Sequence, residues 1–156
     1  DRQDIDQFLV PALEAARAEG KWVIIVTHHA SGDLLNYATE WRSLLGRYKN
    51  LLMHLAAHSH SNHVRKFNSY WEVQSAALAD FPHQLRLIEV HRQDNGYLTV
   101  SGVMVDVATD GDALGEAGWR LGALDTVSGW KSNGSGSRGD RNVRLWIPEK
   151  ARSRQP

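Results

Sequence analysis

The sequence predicts an α/β fold in which two parallel strands, separated by a helix, each lead into a histidine-containing loop. Three patterns predict it: a continuous apolar run at residues 22–27, an amphipathic helical pattern at residues 39–48, and a second apolar run at residues 51–56. Strand, helix and strand in this order are typical of a parallel sheet. The 156 residues, of which 42% are hydrophobic, suffice for one domain with its own core.

The segment before the first strand, residues 4–19, is predicted to be an amphipathic helix, because its apolar residues recur at helical spacing. They are Ile5, Phe8, Leu9, Leu13 and Ala16. Gly20 is placed to end the helix. The strand at residues 22–27 is apolar without alternation, and this predicts burial on both of its faces.

The second helix and strand bring a second histidine loop after the first. Thr39 is the expected N-cap of the helix at residues 39–48. The apolar face of that helix is Trp41, Leu44, Leu45 and Tyr48. His28 and His29 follow the first strand, and the segment Ala57-His58-Ser59-His60 follows the second. Since α/β proteins place their sites at the carboxyl ends of strands, we expect these loops to share a site.

The rest of the chain is predicted to contain mainly strands. Strand-like segments occupy residues 64–67, 70–74, 84–92 and 97–107. Asp94-Asn95-Gly96 predicts a hairpin between the last two. Residues 112–127 are predicted to be a helix whose apolar set is Leu114, Ala117, Leu121 and Leu124. Residues 131–142 are rich in Gly and Ser and predict a flexible loop, residues 143–147 an edge strand ended by Pro148, and the basic tail to residue 156 a disordered end.

The composition excludes several classes of function. Lys+Arg and Asp+Glu both number 18, so no net positive charge argues for a nucleic-acid partner. The absence of cysteine excludes disulfides, thiolate nucleophiles and cysteine zinc sites. No apolar run is long enough to span a bilayer. The chain begins with Asp1 and has no signal peptide, so we interpret its start as a cut inside a longer protein.

Histidine is the residue type that directs the functional interpretation. Six of the eight histidines fall between residues 28 and 63. Imidazole binds Zn, Fe, Mn and Co, and histidines two apart in a loop can reach one metal ion or two neighbouring ions. A lone His-x-His pair is more often an ordinary surface feature than a metal site. When two histidine loops each follow an apolar strand, a metal site and an ordinary surface feature are about equally supported interpretations.

Three segments in order resemble the calcineurin-like metallophosphoesterases. Thr27-His28-His29 resembles their fourth motif, and Leu55-Ala56-Ala57-His58-Ser59-His60-Ser61-Asn62 resembles their last motif, Gly-His-x-His. The Tyr70-Trp71-Glu72 strand, the turn Asp80-Phe81-Pro82-His83-Gln84 and the strand to Val90 resemble the segments downstream of that motif in one bacterial branch. The resemblance covers roughly residues 5 to 107.

This resemblance implies the C-terminal half of a β-sandwich flanked by helices (αββα), in which residues 1–130 belong to the metallophosphoesterase domain. It implies two divalent or trivalent metal ions (Mn, Fe or Zn). Carried over by position, His28 and His58 bind one ion, and His60 binds the other. His29 and Asn62 are candidate substrate contacts, although His29 alternatively packs within its loop. The implied partner is a phosphoester small molecule or a nucleotide.

The departures from the family pattern define which parts of the site are missing. Ala57 stands where the family has Gly, a mild change if its φ stays negative. The Asp-x-His, Gly-Asp and Gly-Asn-His motifs do not occur in their places. The metal-bridging carboxylate and the histidine that assists the leaving group are therefore absent from this chain. We expect the full-length protein to be the enzyme, and this chain alone to bind metal weakly and hydrolyse little.

Two other functions remain open. The segment His58 to His63 resembles the His-x-His-x-Asp-His motif of metallo-β-lactamase-fold hydrolases, but Asn62 replaces its metal-binding Asp and Val64-Arg65 replace its Gly-Gly pair. That interpretation gives no role to His28. The second alternative is a truncated or degenerate domain that binds ligands without catalysis. Intact upstream Asp-x-His and Asn-His motifs would indicate the enzyme, and decayed motifs would indicate the binding domain.

Overall fold

A computed structural model describes residues 2–34, 37–130 and 133–149 of the chain, so the predicted disordered tail after Glu149 lies outside the described residues. Helix α1 is continuous through α-helical Arg2–Asp4, π-helical Ile5–Leu9 and α-helical Val10–Ala18. Helix α2 is Ala38–Gly46, and helix α3 is Ala113–Val127. The strands are β1 (Val23–Val26), β2 (Leu51–Ala56), β3 (His63–Phe67), β4 (Tyr70–Gln74), β5 (Gln84–Arg92), β6 (Tyr97–Asp106) and β7 (Val143–Pro148).

The described strands form two sheets, which confirms the predicted α/β class. The four-stranded sheet has the order β1-β2-β4-β3, with β1, β2 and β4 parallel and β3 antiparallel at the edge. The three-stranded sheet is antiparallel in the order β5-β6-β7. As predicted, β1 and β2 are parallel neighbours connected through a helix, so the loops that follow them emerge at one edge of the sheet.

Two hydrophobic clusters hold these layers together. In the first, the buried side chains of α1 and α2 pack on the four-stranded sheet. Its buried members are Leu13, Ile25, Leu44, Leu45, Tyr48, Leu51 and Tyr70. The second cluster lies between the sheets and joins Met53 and Val73 of one to Val100 and Leu145 of the other. Burying such side chains stabilises the fold by about 1.5–3 kcal/mol each, so the sandwich of sheets is a main source of stability.

Helix α1 ends as its sequence predicts, because Gly20 adopts a φ of 64° just after Ala18. A left-handed φ is accessible to glycine without a steric penalty. Leu13 of the predicted apolar face is buried in the first cluster, whereas Phe8 is 75% exposed. One face of α1 therefore docks on the sheet, and Phe8 lies on the other.

The predicted burial of β1 and the predicted cap of α2 are wrong. Strand β1 was predicted to be buried on both faces, but Ile24 and Val26 are exposed, since β1 lies at the edge of the four-stranded sheet. Thr39 was predicted to cap α2, but the helix begins at Ala38 and its N-cap position is Tyr37. Thr39 therefore lies within the first helical turn, where its hydroxyl cannot occupy the capping position.

Helix α3 forms as predicted, but its predicted apolar set does not face a core. Asp112 caps the helix by accepting a hydrogen bond from the Leu114 amide (3.1 Å). Leu114, Leu121 and Leu124 are 60–83% exposed. The ring of Trp119 lies 6.4 Å from that of Phe81. No helix among the described residues is long and apolar enough to cross a bilayer.

The second half of the chain follows the predicted hairpin and edge strand. Gly96, with φ of 80°, completes the turn between β5 and β6, and β7 pairs with β6 at the open edge of its sheet. The described part of the Gly/Ser loop contains a 3-10 turn at Arg138–Asp140. Asp140 accepts a hydrogen bond from the Val64 amide (2.8 Å), so this end of the loop is attached to β3.

Candidate metal centre

The two histidine loops are joined directly at the carboxyl ends of β1 and β2. The Ala57 amide donates a hydrogen bond to the carbonyl of His28 (3.0 Å), and the Thr27 amide donates to the carbonyl of Leu55 (3.0 Å). These bonds continue the parallel pairing of β1 with β2 past the last strand residues. The position of His28 relative to the second loop is therefore fixed by backbone contacts.

Three imidazole rings converge at this edge, and we call His28, His29 and His58 the histidine cluster. Their possible ligand atoms all lie within 4.8 Å of one another. His28 Nε2 is 3.2 Å from His58 Nδ1, and the ring centroids of His29 and His58 are 4.1 Å apart. All three residues are exposed, so an ion in solution can reach them.

The spacing within the histidine cluster fits a small metal ion. Zinc–nitrogen bonds of 2.0–2.1 Å in a tetrahedral arrangement separate two ligand nitrogens by about 3.3 Å. The 3.2 Å between His28 Nε2 and His58 Nδ1 corresponds to that separation. The same distance also allows an N–H···N hydrogen bond between the rings when no ion is bound. Because the metal bond needs both nitrogens deprotonated, ion and hydrogen bond exclude each other.

The backbone of the second loop is strained at the predicted ligands. His58 has a φ of 65° and His60 a φ of 52°, in the left-handed region. Histidine is one of the residue types enriched there, but each such conformation still costs about 1 kcal/mol. Ala57 is not among the residues with positive φ, so alanine at this position adds no strain. The two strained residues alternate with Ser59 and present their rings at different places.

His60 does not join the histidine cluster in this structure. Its Nδ1 pairs with Oδ2 of Asp80, a residue of the turn that leads to the Phe81-Pro82 peptide. Metal-binding histidines are commonly oriented in this way, through a carboxylate that bonds the second ring nitrogen. Asp80 was not predicted to belong to the site, since 20 residues separate it from His60. Its only signal in the sequence was the Asp-aromatic-Pro turn, which carries no indication of a partner.

Asn62 follows the second histidine loop, and its side chain connects that loop to the three-stranded sheet through hydrogen bonds. Its side chain is fully buried, and its Nδ2 donates to Gln84 Oε1 (3.1 Å). Its Oδ1 accepts hydrogen bonds from the Ala76 amide (3.0 Å) and from Arg86 (3.3 Å). The predicted contact of Asn62 with a substrate stays a prediction, and the observed hydrogen bonds give it a structural role.

A buried polar network supports the first histidine loop. His54, completely buried, bonds Glu72 Oε2 through Nδ1 (3.0 Å) and Thr27 Oγ1 through Nε2 (2.7 Å). Thr27 Oγ1 in turn lies 2.6 Å from the His29 carbonyl oxygen. The network therefore runs from β4 through β2 to the backbone between His29 and Ala30. His54 is thus a packed core residue, remote from solvent.

Glu72 is the charged end of that network. Burial, the strongest influence, raises the pKa of its carboxyl group, but hydrogen bonds from His54 and Ser31 together outweigh burial and lower the pKa below its ordinary value. The Ser31 amide donates to Glu72 Oε2 at 2.9 Å. The carboxylate thereby fixes both the His54 ring and the turn that follows His29.

The structure thus brings His28 and His58 together, as predicted, and adds His29 as a third ring. His60 lies outside this group, paired with Asp80. No family model, no curated protein and no solved structure matches the chain. The assignment of function therefore depends on the geometry of the residues and on the motifs that they form.

Proposed function

We propose that this chain carries part of a dinuclear metal site that hydrolyses phosphoester bonds. The observation that carries the proposal is the convergence of His28, His29 and His58, with ligand atoms within 4.8 Å, at the carboxyl ends of two parallel strands. In this proposal the fold is the C-terminal half of a metallophosphoesterase sandwich (αββα). The substrate is a phosphoester small molecule or a nucleotide.

The residues of the chain have distinct parts in this proposal. His28 and His58 hold one ion, while His60, oriented by Asp80, serves the other. His29 is near enough to hold the first ion as well, or to contact the phosphoryl group. Two ions (Mn, Fe or Zn) would supply the positive charge that polarises the phosphoryl group and activates water. The chain's own contribution is to hold the ligands in place through the bonded loops.

The histidine cluster contains no carboxylate among the described residues. A dinuclear hydrolytic site needs carboxylates to bridge and balance the ions, so the proposal is of a half-site. This same observation favours a second candidate, a non-catalytic domain that binds metal through imidazoles alone. Hydrolysis by the full-length protein, together with metal binding by this chain, separates the first candidate from the second.

The metallo-β-lactamase alternative receives less support from the geometry. It requires His58, His60 and the residue at position 62 to converge, whereas Asn62 is buried in hydrogen bonds to Gln84 and Arg86. It also gives no role to His28, which lies 3.2 Å from His58. The pairing of the two loops therefore favours the phosphoesterase proposal.

Metal titration tests the proposal. Zinc affinity is measured by calorimetry for the chain and for three variants, His58→Ala, His60→Ala and His91→Ala. His91, exposed on β5, is the matched control. We expect His58→Ala to weaken binding of the first ion by at least about a hundredfold, since even removing a partner of a ligand costs 10–100-fold. We expect His60→Ala to abolish the second binding event and His91→Ala to change neither. Full metal content in both of the first two variants would refute the proposal.

A further inference from the structure

A second polar feature adjoins the histidine cluster. A cavity of about 150 Å³ opens beside it, on the face of the four-stranded sheet that bears Glu72 and Gln74. Ala30 and Ser59 line it, and each is the residue directly after a member of the cluster. The cavity is therefore adjacent to the cluster along both histidine loops.

The charges that line the cavity define the ligand it suits. Its polar lining residues are Asp33, Ser59, His63, Arg65, Glu72 and Gln74. Two carboxylates face a single guanidinium, so a second anionic group would be repelled more than attracted. The backbone of Arg65 pairs with β4, but its side chain makes no hydrogen bond or ion pair in the described part of the chain, so the guanidinium donors remain available. Carboxylates accept and a guanidinium donates, and a hydroxyl group can bond to both.

The volume of the cavity sets the size of that ligand. The cavity, of about 150 Å³ and partly open to solvent, holds a ring of six heavy atoms. The five-membered ring of a pentose fits this volume, and its outer hydroxyl groups extend to the open side of the cavity. An apolar ring would displace water from the Arg65 guanidinium without replacing its hydrogen bonds, at a cost in free energy that a polyol avoids.

We propose that this cavity binds the hydroxylated leaving group of the substrate, a pentose-sized sugar or polyol. Its phosphate would lie at the histidine cluster. This inference rests on the proposed function, because the cluster supplies the site for the phosphoryl group. Asp33, on the turn after β1, and Arg65, on β3, bind hydroxyl groups from two sides. The substrate class is thereby narrowed to sugar or polyol phosphates.

Binding measurements test this inference without relying on turnover. Calorimetry with the zinc-loaded chain measures affinity for three probes: ribose 5-phosphate, inorganic phosphate, and methyl ribofuranoside, which lacks a phosphate. The variants are Arg65→Ala and Asp33→Asn, both at exposed positions on different elements. Lys66→Ala is the matched control, because Lys66 is the next residue on β3 and lies over Trp71 on the opposite face.

We expect Arg65→Ala and Asp33→Asn each to weaken ribose 5-phosphate and riboside binding about tenfold, the effect of a lost hydrogen bond to a charged group. Inorganic phosphate binding should not change, and Lys66→Ala should match the unaltered chain. Equal losses for inorganic phosphate, or ribose 5-phosphate affinities within about twofold of the unaltered chain, would overturn the inference.

Failure of the proposed function has a different signature. If zinc has no effect on phosphate affinity and His58→Ala binds phosphate normally, the cluster is not a phosphoryl site. Riboside binding that depends on Arg65 and Asp33 would still report the cavity as a sugar site in that case. Zinc-dependent phosphate binding with no preference for the sugar would instead support the cluster and refute the cavity.

Discussion

The buried polar side chains of this chain differ in whether they have hydrogen-bond partners. His54 and Glu72 satisfy each other and also bond Thr27 and Ser31. Tyr70, equally buried, has no hydrogen-bond partner for its hydroxyl among the described residues. A buried polar group with a partner is close to neutral for stability, whereas one without a partner costs free energy. Glu72 and Tyr70 therefore respond to substitution in opposite ways.

Glu72→Gln should destabilise the fold at neutral pH by about 1–3 kcal/mol, since it removes the charged acceptor of two buried hydrogen bonds. The lowered pKa of Glu72 stabilises the folded chain fully above its ordinary value of 4.5, and this contribution disappears as the pH falls through the folded-state value. Urea unfolding of the chain and the variant at pH 7 and pH 3 measures this contribution to the free energy of unfolding. The difference in free energy of unfolding between the chain and the variant should be smaller at pH 3 than at pH 7. A larger difference at pH 3 would contradict the lowered pKa of Glu72.

Tyr70→Phe should leave the free energy of unfolding unchanged or raise it by up to about 1 kcal/mol. Burial, assisted by the nearby charge of Glu72, raises the pKa of the Tyr70 hydroxyl to about 12. The substitution removes an unpartnered polar atom and keeps the ring in the first hydrophobic cluster. Urea unfolding of the variant provides the measurement, and a loss above about 1 kcal/mol would show that the hydroxyl has a partner in solution.

The helices differ in whether their apolar side chains are buried. The apolar residues of α2 are covered by the sheet, whereas those of α3 are exposed to solvent. Helix α2 buries Leu44 and Leu45 against the four-stranded sheet. No residue of α3 is buried, although its sequence contains as regular an apolar set. Apolar periodicity predicts that a helix forms, but it does not determine which surface, if any, covers the apolar residues.

Leu45→Ala should cost about 2–5 kcal/mol, because it opens a cavity at a side chain with 0% exposure. Leu124→Ala is the matched control at a position that is 60% exposed, and its effect should stay within about 0.5 kcal/mol. Thermal and urea unfolding of both variants make the comparison. Equal losses would mean that α3 is covered in solution.

At the scale of the whole molecule, the two sheets are joined by polar contacts as well as by the apolar cluster between them. Asn62, next to the second histidine loop, bonds Gln84 and Arg86 of β5. Arg86 also donates to the Asp140 carbonyl (2.6 Å) and so reaches the turn before β7. The position of the histidine loop therefore depends on the three-stranded sheet, which contributes no residue to the histidine cluster.

Asn62→Ala should lower the free energy of unfolding by about 2–4 kcal/mol, because at least two buried partners lose their hydrogen bonds. Asn133→Ala makes the same chemical change at an exposed position whose side chain bonds only locally, and it should cost much less. Chemical unfolding provides the measurement. A loss at Asn62 no larger than that at Asn133 would show that the hydrogen bonds of Asn62 contribute nothing to stability.

The sequence predicted the strands well and their partners poorly. The hairpin at Asp94-Asn95-Gly96 and the alternation of strand, helix and strand depend on local patterns, and both appear in the structure. The exposure of Val26 and the pairing of His60 with Asp80 depend on which elements meet. Local propensity does not encode such contacts. The convergence of His28 with His58 was predictable because parallel neighbours end at one edge.

The hydrogen bond from the Ala57 amide to the His28 carbonyl has a consequence for the choice of ion. It holds the backbones of the two loops together, and in this arrangement His28 Nε2 and His58 Nδ1 lie 3.2 Å apart. Ions such as Ca²⁺, with bonds of 2.3–2.6 Å, would need a tetrahedral separation nearer to about 4 Å, as well as oxygen ligands. Under the proposed function, a short separation and nitrogen-only ligands would both favour small transition-metal ions over the larger alkaline earths.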